Sequence, residues 1–275
     1  MLEVLATGPV ATVQDLGRRG YQQLGVPRSG ALDRAALTRA NLLVGNDPSA
    51  AGLELSLGRF RALFHADAVL AVAGAPAPVT IAGRPVELEA PQPIHAGEEL
   101  RVAVPTRGLH VYLAIAGGIE VAPVLGSRST DTLSGIGPPP LRPGTRLPLG
   151  SARGPSTKPP RTMDPPAEIR VKFGPRDDWF TDPLALTRNP YRLSTSNRIG
   201  ARLDGPALTR SIPGELPSEG LIPGAIQVPG DGRPIVFLAD HPATGGYPVI
   251  AVVHPDDLAF VAQARPGASV VFRGP

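Results

Sequence analysis

Apolar residues come in short runs, and a glycine or proline closes nearly every one. "LEVLATG", "AVLAVAGA", "VTIAG", "LRVAVP", "VYLAIAG", "IRVKFG", "PIVFLAD", "IAVVH" and "SVVFRG" mostly span four to eight residues. That is the length of strands and too short for most helices. The 32 glycines and 34 prolines are spread along the chain without a G-X-Y period, so they read as turns and exclude collagen. The expected fold class is mainly β with a few short helices.

One long stretch departs from this. In "SGALDRAALTRANLLVGN", Leu32, Ala35, Ala36, Ala40, Leu43 and Val44 repeat near 3.6 residues. Ser29 is the expected N-cap, and Gly45 with Asn46 supplies the stop. Shorter helices are expected at "HPDDLAFVAQ" and "DDWFTDPLAL". A polar, Pro-rich excursion, residues 151–167, separates two β-barrel-like halves, 1–150 and 168–275. Proteolytic sensitivity is expected in the excursion.

Hydrophobic residues make up 42% of the 275, a globular composition long enough for a sizeable core. The net charge is +3, nearly every cation is Arg, and only Lys158 and Lys172 are lysines. No Lys/Arg cluster tracks a phosphate backbone, so no nucleic-acid partner is expected. Cysteine is absent, which excludes disulfides, thiolate catalysis and cysteine metal sites. No paired-ligand spacing points to zinc, and no metal is expected. The start lacks a signal-peptide pattern and no apolar run reaches a membrane span, so the cytoplasm is the expected location and no membrane partner is expected.

Polar residues gather in three blocks. "VQDLGRRGYQQLGVPRSGALD" carries Gln14, Asp15, Arg18, Tyr21 and Ser29 among glycines. "GSRSTD" carries Ser127, Arg128 and Ser129. The C-terminal part carries Arg198, Gln227, Thr244 and Tyr247. These twelve are the candidate anion- and substrate-binding residues, and no catalytic residue is assigned. Arg18, Arg128 and Arg198 suit bidentate binding of a carboxylate, while Ser127, Ser129 and backbone N–H groups suit an oxyanion. The competing reading pairs Arg128 with Asp131 to fix a turn. The site reading places residues 126–131 in a cleft with the 14–33 block and the 244–247 turn. "PGDGRP" reads as a hairpin turn, and His241 as a structural histidine. There is no Walker A loop, Rossmann fingerprint or G-x-S-x-G elbow.

The ordered blocks "VQDLGRRGYQQLGVPRSGALDRAALTRANLLVGN", "GSRSTDT", "SNRIGARLDGP", "SEGLIPGAIQVPGDGRPIV" and "TGGYPVIAVV" resemble the biotin-dependent carboxyltransferase family. That family takes in the C subunit of 5-oxoprolinase, KipA and the allophanate hydrolase subunit 2 type. The resemblance implies two cyclophilin-like β-barrels. It also implies one component of an ATP-dependent 5-oxoprolinase, which works with an A subunit and a KipI-like B subunit to open 5-oxoproline to L-glutamate. ATP is then used by the complex, the substrate is a small amide or lactam, and the chain alone is inactive. No biotin is expected, because no M-K-M-like lysine context occurs. The alternatives are a KipA-like antagonist of a kinase inhibitor and a carboxyltransferase or allophanate-type component for a urea-like amide. Asn197 stands where the family usually has a carboxylate.

Overall fold

In the computed structural model the described residues are 1–275 without 152, 153, 155–158, 160–165, 213, 215 and 275. The excursion 151–167 lies largely outside them. The chain forms two compact units: Met1–Arg18 with Ser29–Met163, and Arg19–Arg28 with Asp164–Pro275.

The first unit holds two antiparallel sheets around one core. The six-stranded sheet runs in the order Arg146–Leu147, Leu2–Thr7, Phe60–Phe64, Glu99–Val102, Val79–Ile81, Arg84–Pro85. The five-stranded sheet runs Val10–Gln14, Gly52–Ser56, His110–Ile115, Ala68–Gly74, Gln92–Ile94. Period-two alternation builds the core. Phe60, Ala62 and Phe64 are fully buried while Arg61 between them is exposed. Leu2, Val4, Val13, Leu53 and Leu113 complete the same cluster from both sheets. Each fully buried Phe or Leu contributes about 1.5–3 kcal/mol over an exposed one.

His110–Ile115 is buried at every position. The helix Arg34–Leu43 covers the face of its sheet that the core leaves free, setting Ala40 and Leu43 on Ala71, Ala73 and Ala114, and Ala36 and Leu37 on Tyr112. The helix starts later than its periodicity suggests. Its N-cap is Asp33, whose Oδ1 accepts the Ala36 N–H at 2.9 Å. Ser29 is not the cap: it takes a left-handed backbone with φ 55°, and Gly30 follows at 92°. Two bonds instead hold residues 32 and 33 as a strap. The Leu32 N–H donates to Glu54 Oε2 at 2.9 Å and the Asp33 N–H to Tyr112 Oη at 2.7 Å. Burial, and then the Glu54 charge, push the Tyr112 hydroxyl well above its ordinary range, so it stays a neutral donor to Glu54 at 2.8 Å.

The second unit is a closed seven-stranded barrel. Its strands run in the order Ile169–Phe173, Val249–Val253, Ala225–Gln227, Ile235–Phe237, Gly200–Asp204, Pro190–Ser196, Ser269–Arg273. Parallel pairing of Ile169 with Phe272 closes the ring. Alternation again sorts the faces. Ala201, Leu203, Ile226 and Val236 are buried inward, and Arg202 and Asp204 are exposed outward. A smaller apolar cluster of Leu221, Ala225, Phe237 and Val249 covers part of the outer face. The turn at residues 229–232 joins two barrel strands as the hairpin expected there, with the Gly232 N–H on the Pro229 carbonyl. The two short helices expected here are Leu258–Gln263 and Ala185–Arg188, the latter preceded by a 3-10 turn at Asp177–Trp179. Segment 19–28 belongs to this unit, and Gln22 Nε2 donates to the Leu221 carbonyl.

Candidate functional site

In the first unit the 126–131 loop does hold an anion, and the anion is the chain's own. Strand Val10–Gln14 delivers Asp15 to the loop. Asp15 Oδ1 accepts from Gly17 N–H (2.7 Å), Ser127 Oγ (2.7 Å) and Ser129 Oγ (2.5 Å), and Oδ2 accepts from Arg128 N–H (2.6 Å). These short distances are those of charge-assisted bonds. Ser127 and Ser129 are 1% and 0% exposed, so their hydroxyls are committed to this carboxylate.

The neighbours lock the loop further. Gln14 Nε2 donates to Thr12 Oγ1 and the Thr130 carbonyl, both at 3.0 Å. Buried Arg18 donates Nη2 to the Ser129 carbonyl, and Ser29 Oγ donates to the Thr130 carbonyl at 3.1 Å. A Cβ on Gly137 would meet the Ser129 oxygen at 2.1 Å, so only glycine lets the backbone approach this closely. Arg128 does not pair with Asp131. Its Nε donates to the Val121 carbonyl at 2.7 Å and its Nη2 to Glu120 Oε2 at 3.0 Å. Asp131 fixes its own turn by accepting from Leu133 N–H, Ser134 N–H and Ser134 Oγ.

The remaining candidates belong to the second unit. Arg198 forms a bidentate pair with Asp240 at 2.8 and 2.9 Å, the residues being 4% and 0% exposed. The pair fixes the barrel end beside it. His241 is buried, and its Nδ1 donates to the Pro242 carbonyl at 2.7 Å, which sets its tautomer. Tyr21 precedes the 3-10 turn Gln22–Leu24 and its carbonyl accepts from Leu24 and Val26. Thr244, on the short strand paired with Glu219–Gly220, borders a hollow of about 510 Å³ with Gln22, Gln23 and Pro242.

Gln227 and Tyr247 share a different hollow, about 380 Å³, on the outer face of the barrel. Thr195, Asn197, Arg202 and Phe237 also line it. Gln227 is 3% exposed, and its Nε2 donates to the Tyr247 carbonyl at 2.8 Å. A Cβ on Gly245 would lie 2.7 Å from that nitrogen, so glycine makes the room for this amide. The Arg210 guanidinium stacks 5.7 Å from the centre of the Tyr247 ring. Arg202 sits inside the block "SNRIGARLDGP", which carries it beside Asn197 and Arg198. The signal is the alternation in "GARLD", which sends Ala201 and Leu203 inward and Arg202 outward. Among the described residues no cluster of three or more His, Asp or Glu side chains suits a metal ion, and no helix is long and apolar enough to cross a membrane.

Residues 24–274 match the model of the carboxyltransferase domain, subdomain A and B. The C subunit of 5-oxoprolinase from Escherichia coli is 41% identical over 280 residues, covering 99% of this chain and 90% of that protein. Its namesake from Haemophilus influenzae is 33% identical with the same coverage. A urea amidolyase from Lachancea kluyveri is 33% identical over 98% of this chain but only 17% of its own length. Among solved structures, TTHA0988 superposes with a TM-score of 0.90 at 36% identity, covering 99% of this chain and 55% of that one. The urea amidolyase of K. lactis gives a TM-score of 0.91 at 32% identity, covering 98% of this chain and 18% of that one.

Proposed function

We infer the function from one premise: this chain belongs to the family of carboxyltransferase domains with subdomains A and B. It acts as the C subunit of an ATP-dependent 5-oxoprolinase, which opens 5-oxoproline to L-glutamate together with the A and B subunits. The observation that carries this reading is coverage. The match to the Escherichia coli protein spans 99% of this chain and 90% of that protein, whereas the match to the urea amidolyase spans 17% of the larger enzyme. This chain therefore corresponds to a separate subunit and to only a small part of a urea amidolyase.

The division of labour follows from the side chains. The chain has no Walker A loop, so the complex's use of ATP does not run through that motif in this chain. Buried His241 and the serines of the Asp15 loop are bound to structural partners, which argues against a nucleophile–base pair at either place. The chain alone is inactive, it carries no biotin, and its role is cytoplasmic. Co-expression with candidate A and B subunits, followed by an assay for ATP-dependent loss of 5-oxoproline, tests the reading. Turnover by the three proteins together and none by the purified chain is the expected result. Turnover by the A and B subunits without this chain would refute it.

A further inference from the structure

The hollow on the outer face of the second barrel contains one polar group left over by the fold. Gln227 is more than nine-tenths buried, yet only its Nε2 is used, on the Tyr247 carbonyl. Its Oε1 has no hydrogen-bond partner among the described residues, and the side chain borders the hollow. The oxygen therefore remains available, at the edge of the hollow, to accept an N–H from a ligand.

Strand register supplies the second observation. Gln227 lies opposite Ile235, Ile235 opposite Arg202, and Arg202 opposite Thr195. Directly opposed residues of antiparallel strands share a face, so these four form one row across four strands. Strand spacing puts the backbones of Gln227 and Arg202 roughly 10 Å apart, with Ile235 between them. Both end residues have side chains long enough to reach over that gap. The floor is apolar, made by Ile235 and Phe237, and Gly200 opposite Phe237 leaves it uncovered. Tyr247 walls one side. Arg202 is exposed and makes no ion pair among the described residues.

We propose that this hollow binds a small planar amide bearing a carboxylate, with Gln227 Oε1 accepting the amide N–H and Arg202 holding the carboxylate. The apolar floor takes the ring methylenes, and Thr195 stands beside Arg202 as a hydroxyl donor. The identification of the ligand as a lactam carboxylate of the 5-oxoproline class rests on the function proposed above. Urea satisfies the Gln227 end but offers Arg202 no carboxylate, so the row favours a lactam carboxylate over a urea-like amide. Arg202 and Gln227 are thus specificity-determining residues.

The test is calorimetric titration of the full chain with 5-oxoproline, with γ-butyrolactam (the same ring without the carboxylate) and with urea. Wild type should bind 5-oxoproline more tightly than γ-butyrolactam. Arg202→Met should weaken 5-oxoproline by at least about tenfold, the worth of one charge-assisted contact, and leave γ-butyrolactam unchanged. Arg202→Lys should recover part of the loss. Because Arg202 faces outward, its variants keep the barrel intact. Gln227→Met should weaken both lactams, with melting temperature recorded alongside because Gln227 also anchors Tyr247. No binding of 5-oxoproline to wild type, or equal binding to wild type and Arg202→Met, overturns the proposal. Turnover in the assembled enzyme separates this from the function itself. Turnover that ignores Arg202→Met removes the site and keeps the function. Carboxylate-dependent binding without turnover keeps the site and removes the function.

Discussion

The Asp15 loop and the Gln227 hollow are both polar, glycine-shaped and seated at strand ends. They differ in what meets the charged side chain. Around Asp15 the donors find their acceptor within the same unit: two serine hydroxyls and two backbone N–H groups converge on one carboxylate. Around Gln227 the fold uses half of the amide and leaves Arg202 without a carboxylate among the described residues. Both places keep an amide oxygen without a protein partner, Gln14 Oε1 beside the loop and Gln227 Oε1 at the hollow, so what separates scaffold from site is whether the charged group already has its partner.

Four substitutions test that distinction. The largest effect belongs to the second unit's own closed pair. Arg198→Ala strands the buried Asp240 carboxylate and should lower stability by about 3–5 kcal/mol, read from the urea midpoint. A change under about 1 kcal/mol would show that the pair is not structural. Asp15→Ala removes the acceptor shared by four donors and should cost about 2–3 kcal/mol, while 5-oxoproline affinity of the folded fraction stays at the wild-type value. Loss of affinity without loss of stability would turn the loop into a binding site.

Asp257 is the third closed carboxylate, and it responds to pH. Its oxygens accept from the Arg170 side chain and N–H, and hydrogen bonding to Arg170 is the main reason its pKa is held below the ordinary aspartate range. A depressed folded-state pKa adds stability that is complete above the unfolded value of about 3.9 and lost as pH falls through the folded value. The melting-temperature gap between wild type and Asp257→Asn should therefore be full at neutral pH and shrink in acid. A gap that stays constant into strong acid contradicts the assignment. The smallest effect is expected at Arg128, whose guanidinium meets a half-exposed Glu120. Arg128→Ala should cost less than about 1 kcal/mol and leave turnover in the assembled enzyme near wild type, because its contribution to Asp15 is a backbone N–H. A fall in turnover of about a hundredfold, the worth of one preorganised donor, would restore the guanidinium as an anion ligand.

The strand pattern is readable because burial has a period of two, and the apolar runs show it directly. Strands of mixed composition are harder. Pro190–Ser196 and Gly200–Asp204 alternate Tyr191, Leu193, Ala201 and Leu203 with polar residues, and the polar half points to a ligand-binding block before it points to a strand. Ser29 is the expected helix start because hydroxyl residues favour N-caps, but the Glu54 and Tyr112 contacts hold residues 32 and 33 out of the helix. Those partners lie 22 and 79 residues away, beyond any local signal. The same holds for the 126–131 loop. Its hydroxyl and N–H donors announce an anion, and nothing nearby in sequence announces that Asp15 is that anion. Arg202 needs strand register, which composition does not encode.

Segment 19–28 shapes how the protein is made. Its flanks, Asp15 to Arg18 and Ser29, are bound into the first unit, whose first and last strands Leu2–Thr7 and Arg146–Leu147 pair with each other. The ribosome finishes that unit while the ten residues between Arg18 and Ser29 still lack their partner. Leu221, which accepts the Gln22 amide, is translated only later. At about 5–20 residues per second the wait lasts seconds. During it the nascent chain carries a tethered loop without its Leu221 partner. Separating the halves at the Pro-rich stretch would make that wait permanent, because a fragment starting after it lacks the residues its barrel borrows from near the N-terminus.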